Sequence, residues 1–166
     1  MMLDNETTDR ARRSLEAQQK ILRYIRQIKE IAISPELNDA LEPVEEMLRE
    51  HLRVFVQTGT GNEPLPPTVV GNRNPEYLGW VGPLTGRMKA TLAKHHRLDE
   101  IGGLMAKIVL AQRKQREHCR FIYHNISDKS EHAHLFLKIS MEQVALMEFF
   151  KNARALLMGI APKEED

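Results

Sequence analysis

The sequence predicts an all-α fold, a four- to five-helix antiparallel bundle with one long proline- and glycine-rich loop over about 59–83. Three observations predict it. Apolar residues recur at helical spacing, in steps of three and four, through every long segment. Aromatic residues make up only 5% of the 166 residues while eight are methionine, a balance that favours helices because strands draw on β-branched and aromatic side chains. Five of the nine glycines and five of the eight prolines fall within 59–83, which leaves long segments on either side.

The elements follow in order. Residues 1–7 are polar and read as a frayed end. A first helix is predicted over about 8–33, where Ile21, Ile25, Ile28 and Ala32 form one apolar stripe, with Leu15 and Leu22 beside it. Glu16 and Lys20 support it as an i,i+4 pair. Pro35 then excludes helical geometry at Ser34, while Ser34 can cap a second helix with Pro35 at its first position. The stripe Leu37, Leu41, Val44, Leu48, Leu52 and Phe55 carries that helix to about Thr58. Pro43 either kinks it or marks its true start, with 35–41 as a separate turn. This segment is acidic: Glu36, Asp39, Glu42, Glu45, Glu46 and Glu50 against Arg49 and Arg53 give −4.

Neither helix nor long strand persists through 59–83. Its apolar residues, Trp80 foremost, predict an ordered loop packed on the bundle. The segment 84–126 is basic. It holds Arg87, Lys89, Lys94, Arg97, Lys107, Arg113, Lys114, Arg116 and Arg120 against Asp99, Glu100 and Glu117, or +6 in a chain whose net charge is +1. Gly102-Gly103 is its weak point, since each glycine costs about 1 kcal/mol relative to alanine in a helix. A break is expected there, giving helices over 84–101 and 104–126. Asp128 and Glu131 have capping-box spacing and open a last helix that runs to about Met158, with Gly159 and Pro162 as stop signals. Its apolar residues cover most of the circumference, which places it centrally or shares it with a partner.

Length predicts a single domain over 1–166, with 163–166 a short solvated tail. A lone cysteine, Cys119, forms no intrachain disulfide. The first residues lack the apolar core of a signal peptide, and no window approaches 18 uncharged apolar residues, so the expectation is a cytoplasmic protein without membrane contact.

No nucleophile elbow, Walker loop, dinucleotide fingerprint or haem-attachment motif occurs, so no catalytic residue is assigned and a non-enzyme is favoured. Gly59-Thr60-Gly61 lacks the lysine of a phosphate cradle. Glu131 and His134 have E-x-x-H spacing, but a two-metal bundle needs that motif twice, so neither metal nor cofactor is expected. Cys119, among Arg116, His118 and Arg120, reads as a reactive thiol or, with Ile122 and Tyr123 at helical spacing, as a small buried residue; the second is preferred.

The basic segment has three readings. It is a solvated face complementing the acidic 36–50 if those helices are neighbours, a surface for an acidic protein, or a nucleic-acid surface built on Arg87, Lys94, Arg97, Arg113, Lys114, Arg116 and Arg120. The low overall charge, the lack of a known motif and a basic helix not interleaved with stacking aromatics weigh against nucleic acid. The expectation is a non-enzymatic helical interaction protein, an adaptor, chaperone or accessory subunit. It would meet a protein partner, or a second copy as a homodimer, through Tyr77, Trp80, Phe149 and Phe150. The alternatives are a nucleic-acid-binding accessory protein and a metal-binding bundle.

Overall fold

A computed structural model describes residues 4–32, 35–60, 97–126 and 131–158. Among these the chain is all-helical, with no strand: α1 spans Asn5–Ala32, α2 Pro35–Gly59, α3 Leu98–Asn125 and α4 Glu131–Met158. The predicted Pro/Gly-rich loop lies, from residue 61 onward, outside the described residues, as do the expected helical stretch 84–96 and the turn 127–130.

α1 begins earlier than its apolar stripe predicts. The Thr7 amide donates to Asp4 Oδ1 at 2.7 Å, a side-chain cap that satisfies an otherwise orphaned N–H. Residues 5–7 therefore belong to the helix rather than to a frayed end. The buried positions Ala11, Ser14, Gln18, Ile21, Ile25, Ile28 and Ala32 alternate steps of three and four, one continuous seam.

α2 runs without interruption through Pro43, so residues 35–41 are not a separate turn. Pro43 is exposed, which puts the missing backbone donor on the solvent side. α3 likewise passes unbroken through Gly102-Gly103, against the expected break. Tertiary contacts outweigh the local glycine penalty. Ile101, Met105 and Ile108 are fully buried on this stretch, and Arg154 Nε of α4 donates to the Gly102 carbonyl at 3.1 Å.

Side-chain contacts fix the helix directions. Arg12 Nε donates to the Gly59 carbonyl and Gln18 Nε2 to the Leu48 carbonyl, so α2 runs against α1. Arg10 meets His118, and Tyr24 meets Lys107, so α3 also runs against α1. The Arg154–Gly102 contact sets α4 against α3. α1 packs against both α2 and α3, and α3 packs against α4. The end of α2 and the start of α3 therefore lie at opposite ends of α1, a 28-residue helix about 42 Å long.

All four helices contribute to two apolar clusters. One is built around Ile21, Ile25, Leu48, Ile108, Leu146 and Phe150. The other is built around Phe55, Cys119, Ile122, Phe136 and Ile139. On α4, Leu137 and Met141 are exposed, while most of the remaining large apolar residues are inside.

Candidate functional site

A groove of about 390 Å³ runs between α1 and α3. α1 lines it with Arg13, Glu16, Ala17, Lys20 and Tyr24; α3 lines it with Lys107, Leu110, Ala111, Lys114 and His118. The two sets have the same offsets of three, four, seven and eleven residues from their first members, so each is one helix face over three turns. Ala17 and Ala111, the shortest side chains, leave the space between the walls. Leu110 stands in the groove with 56% of its surface exposed.

Among the described residues four cations face one carboxylate here, a local charge of +3 in a chain of +1. Arg13 pairs with exposed Asp9 on its own helix at 3.2 Å. Lys20, Lys107 and Lys114 have no carboxylate partner among the described residues. The Lys107 ammonium lies 5.7 Å from the centre of the Tyr24 ring. At the other end Arg10 stacks over Phe121 at 4.3 Å and directs Nη1 to His118 Nδ1 at 3.3 Å. A guanidinium only donates, so Nδ1 accepts and the imidazole proton sits on Nε2. Burial holds the His118 pKa below its ordinary value, and the charges of Arg10, Arg13 and Lys114 push the same way against Glu117. The groove thus offers four cations, one imidazole and an exposed leucine.

The acidic helix does not neutralise it. α2 packs against α1, and its Glu45 pairs with Lys29 of α1 and with Arg49.

Of the predicted nucleic-acid contacts among the described residues, only Lys114 lines the groove. Arg97 pairs with Glu100 at 2.8 Å at the start of α3. Arg113, Arg116 and Arg120 recur at i, i+3 and i+7 and share a different stripe. Arg87 and Lys94 lie outside the described residues, as do the predicted partner contacts Tyr77 and Trp80. Phe149 and Phe150, the other two, are buried and stack edge-to-face at 5.0 Å in the core, so they are not presented to a partner. His134 is exposed, and the Glu131 side chain is outside the described set. No group of three or more His, Cys, Asp or Glu among the described residues is placed to hold a metal. Cys119 is fully buried, and burial raises its thiol pKa, which makes it a core residue rather than a reactive one.

The sequence reading missed Arg13, Lys20 and Tyr24. The signal was present, since 13, 20 and 24 repeat the spacing of 107, 114 and 118.

It also missed a layer of buried polar side chains between the two apolar clusters. Gln115 Nε2 donates to the Ser14 carbonyl and to Gln18 Oε1, both at 2.8 Å, and Gln18 Nε2 donates to the Leu48 carbonyl at 2.8 Å. His51 Nδ1 accepts from Gln143 Nε2 at 3.0 Å, and its Nε2 lies 3.1 Å from Glu142 Oε1. With Nδ1 an acceptor, the imidazole proton faces Glu142. All five residues are at most 3% exposed. Ser14 Oγ, Glu142 Oε2 and both amide atoms of Gln112 are buried without a hydrogen-bond partner among the described residues. These positions continue the apolar seams: Gln18 is three before Ile21, and His51 is three after Leu48. Polar residues in core register were the legible signal.

No helix among the described residues is long and apolar enough to cross a membrane. Compared with protein-family models, with curated proteins and with solved structures, the chain matches none.

Proposed function

We propose that this protein is a non-enzymatic helical interaction protein, an adaptor, chaperone or accessory subunit, that receives an acidic partner in the groove between α1 and α3. One observation carries the reading: four cations line a groove with a single carboxylate, and three of them lack a carboxylate partner among the described residues. Uncompensated like charges gathered in a concave surface raise the local concentration of an oppositely charged partner and its rate of encounter. The architecture that presents this groove is read as an antiparallel four-helix bundle with a long Pro/Gly-rich loop over about 59–83, working in the cytoplasm.

Binding of a fluorescent polyglutamate peptide, measured by anisotropy across a salt series, tests it. Affinity falls as salt rises, because the contacts are exposed, and the Lys20→Glu/Lys107→Glu/Lys114→Glu variant loses it. Absence of binding at low salt, or equal binding by the variant, removes the groove as the site.

A further inference from the structure

We infer that the occupant of this groove is an acidic amphipathic helix of a protein partner, with carboxylates flanking a narrow apolar seam. This rests on the acidic-partner reading and specifies it.

The antiparallel register decides the order of the cations. Arg10 meets His118 at one end and Tyr24 meets Lys107 at the other. Lys114 therefore falls between Arg13 and Lys20 along the groove, and Lys20 between Lys114 and Lys107. The four cations alternate between the two walls. Neighbours on the same wall are seven residues apart, about 10.5 Å at 1.5 Å per residue, so successive rungs are about 5 Å apart, one helical turn.

A helix laid along such a groove presents side chains at that same pitch. Its a and d positions point to the floor, and its e and g positions point to the two walls. Acidic e and g residues would meet Arg13 and Lys20 on one side and Lys107 and Lys114 on the other. The floor fits the a/d seam: Ala17 and Ala111 admit close approach, and exposed Leu110 needs an apolar neighbour. A single-stranded nucleic acid would set its phosphates against the lysines but leave Leu110 without an apolar contact, and the one aromatic on the wall among the described residues, Tyr24, already lies under Lys107. A second copy's α2 is also acidic, yet its apolar face is inside its own core and Arg49 and Arg53 interrupt its charge.

The test compares three probes on the full chain by anisotropy. One is a three-heptad peptide with Leu and Ala at a and d and Glu at e and g. The second has the same composition with the glutamates moved to b, c and f. The third is a single-stranded oligonucleotide. Four exposed ion pairs of ordinary size together give roughly tenfold or more in affinity. The first peptide is expected to bind at least tenfold more tightly than the second. A Lys20→Glu/Lys114→Glu variant loses that preference and recovers binding to a peptide carrying Lys at e and g, which also shows that the variant is folded. Equal binding of the two acidic peptides overturns the helical register while leaving an acidic partner. Preference for the oligonucleotide overturns the protein occupant. Binding of none of the three removes the acidic-partner reading itself.

Discussion

Gln112 is fully buried, and neither its amide nitrogen nor its amide oxygen has a hydrogen-bond partner among the described residues. Its replacement by methionine keeps the length and flexibility of the side chain and removes both polar atoms. An unsatisfied buried polar group costs about 1–3 kcal/mol. Gln112→Met is therefore expected to stabilise the protein by about 1–2 kcal/mol, taking the lower part of that range because the thioether packs imperfectly in place of an amide. For a domain of this size that is roughly 3–6 °C in Tm. Gln115, three residues along the same helix, gives the opposite sign. Its amide donates to the Ser14 carbonyl and to Gln18 Oε1, so Gln115→Met orphans a buried acceptor and costs about 1–3 kcal/mol. Thermal and urea unfolding of both variants, followed by circular dichroism, reads the two signs side by side. If Gln112→Met loses as much as Gln115→Met, the Gln112 amide is bonded after all, to buried water or a ligand, and the reasoning fails.

Three further outcomes follow from the same contacts. His51→Leu removes the donor facing Glu142 and leaves a buried carboxyl alone, at about 3 kcal/mol, whereas the double variant His51→Leu/Glu142→Leu recovers much of that loss; a double-mutant cycle showing simple additivity would refute the pairing. Because the His118 pKa is depressed in the folded state, the unfolded chain takes up the proton first, so stability is lost as pH falls below about 6.5 and through the lower folded value. His118→Gln flattens that part of the pH–stability profile, and an unchanged profile would exclude His118 as its source. Gly103→Ala meets open space in the second turn of α3, so the added methyl stabilises by up to about 1 kcal/mol; a loss of Tm would show that the backbone there is not relaxed helix.

The helices were legible because amphipathic seams are local patterns. Ile21, Ile25 and Ile28 on α1 and Leu41, Val44 and Leu48 on α2 announce their faces without knowledge of a partner. Gly102-Gly103 misled for the converse reason: glycine's cost is local, while the Arg154 contact and the burial of Ile101 and Met105 that outweigh it come from another part of the chain. Asp4, one residue upstream of the first helix, was a readable cap that the apolar stripe, starting later, obscured. The groove was half visible. Lys107 and Lys114 stood out as charge, but which of the nine cations of 84–126 act together depends on α1 lying antiparallel to α3. Phe149 and Phe150 show the opposite limit, since an aromatic pair on a broadly apolar helix reads alike whether it faces a core or a partner.

The glutamine pair between α1 and α3 also decides axial alignment. Regular seams of isoleucine and alanine tolerate sliding, because one apolar rung resembles the next. Gln18 and Gln115 do not. A displacement of α1 by seven residues would set Gln115 against Ile25 or Ala11, and Gln18 against Ile108 or Ile122, all of them buried and apolar. Each stranded amide would cost about 1–3 kcal/mol. A polar rung in an apolar ladder thus acts as a detent. It holds the walls of the groove at the offset where Lys114 lies between Arg13 and Lys20 and Lys20 between Lys114 and Lys107, so a feature hidden in the core keeps the surface pattern in step.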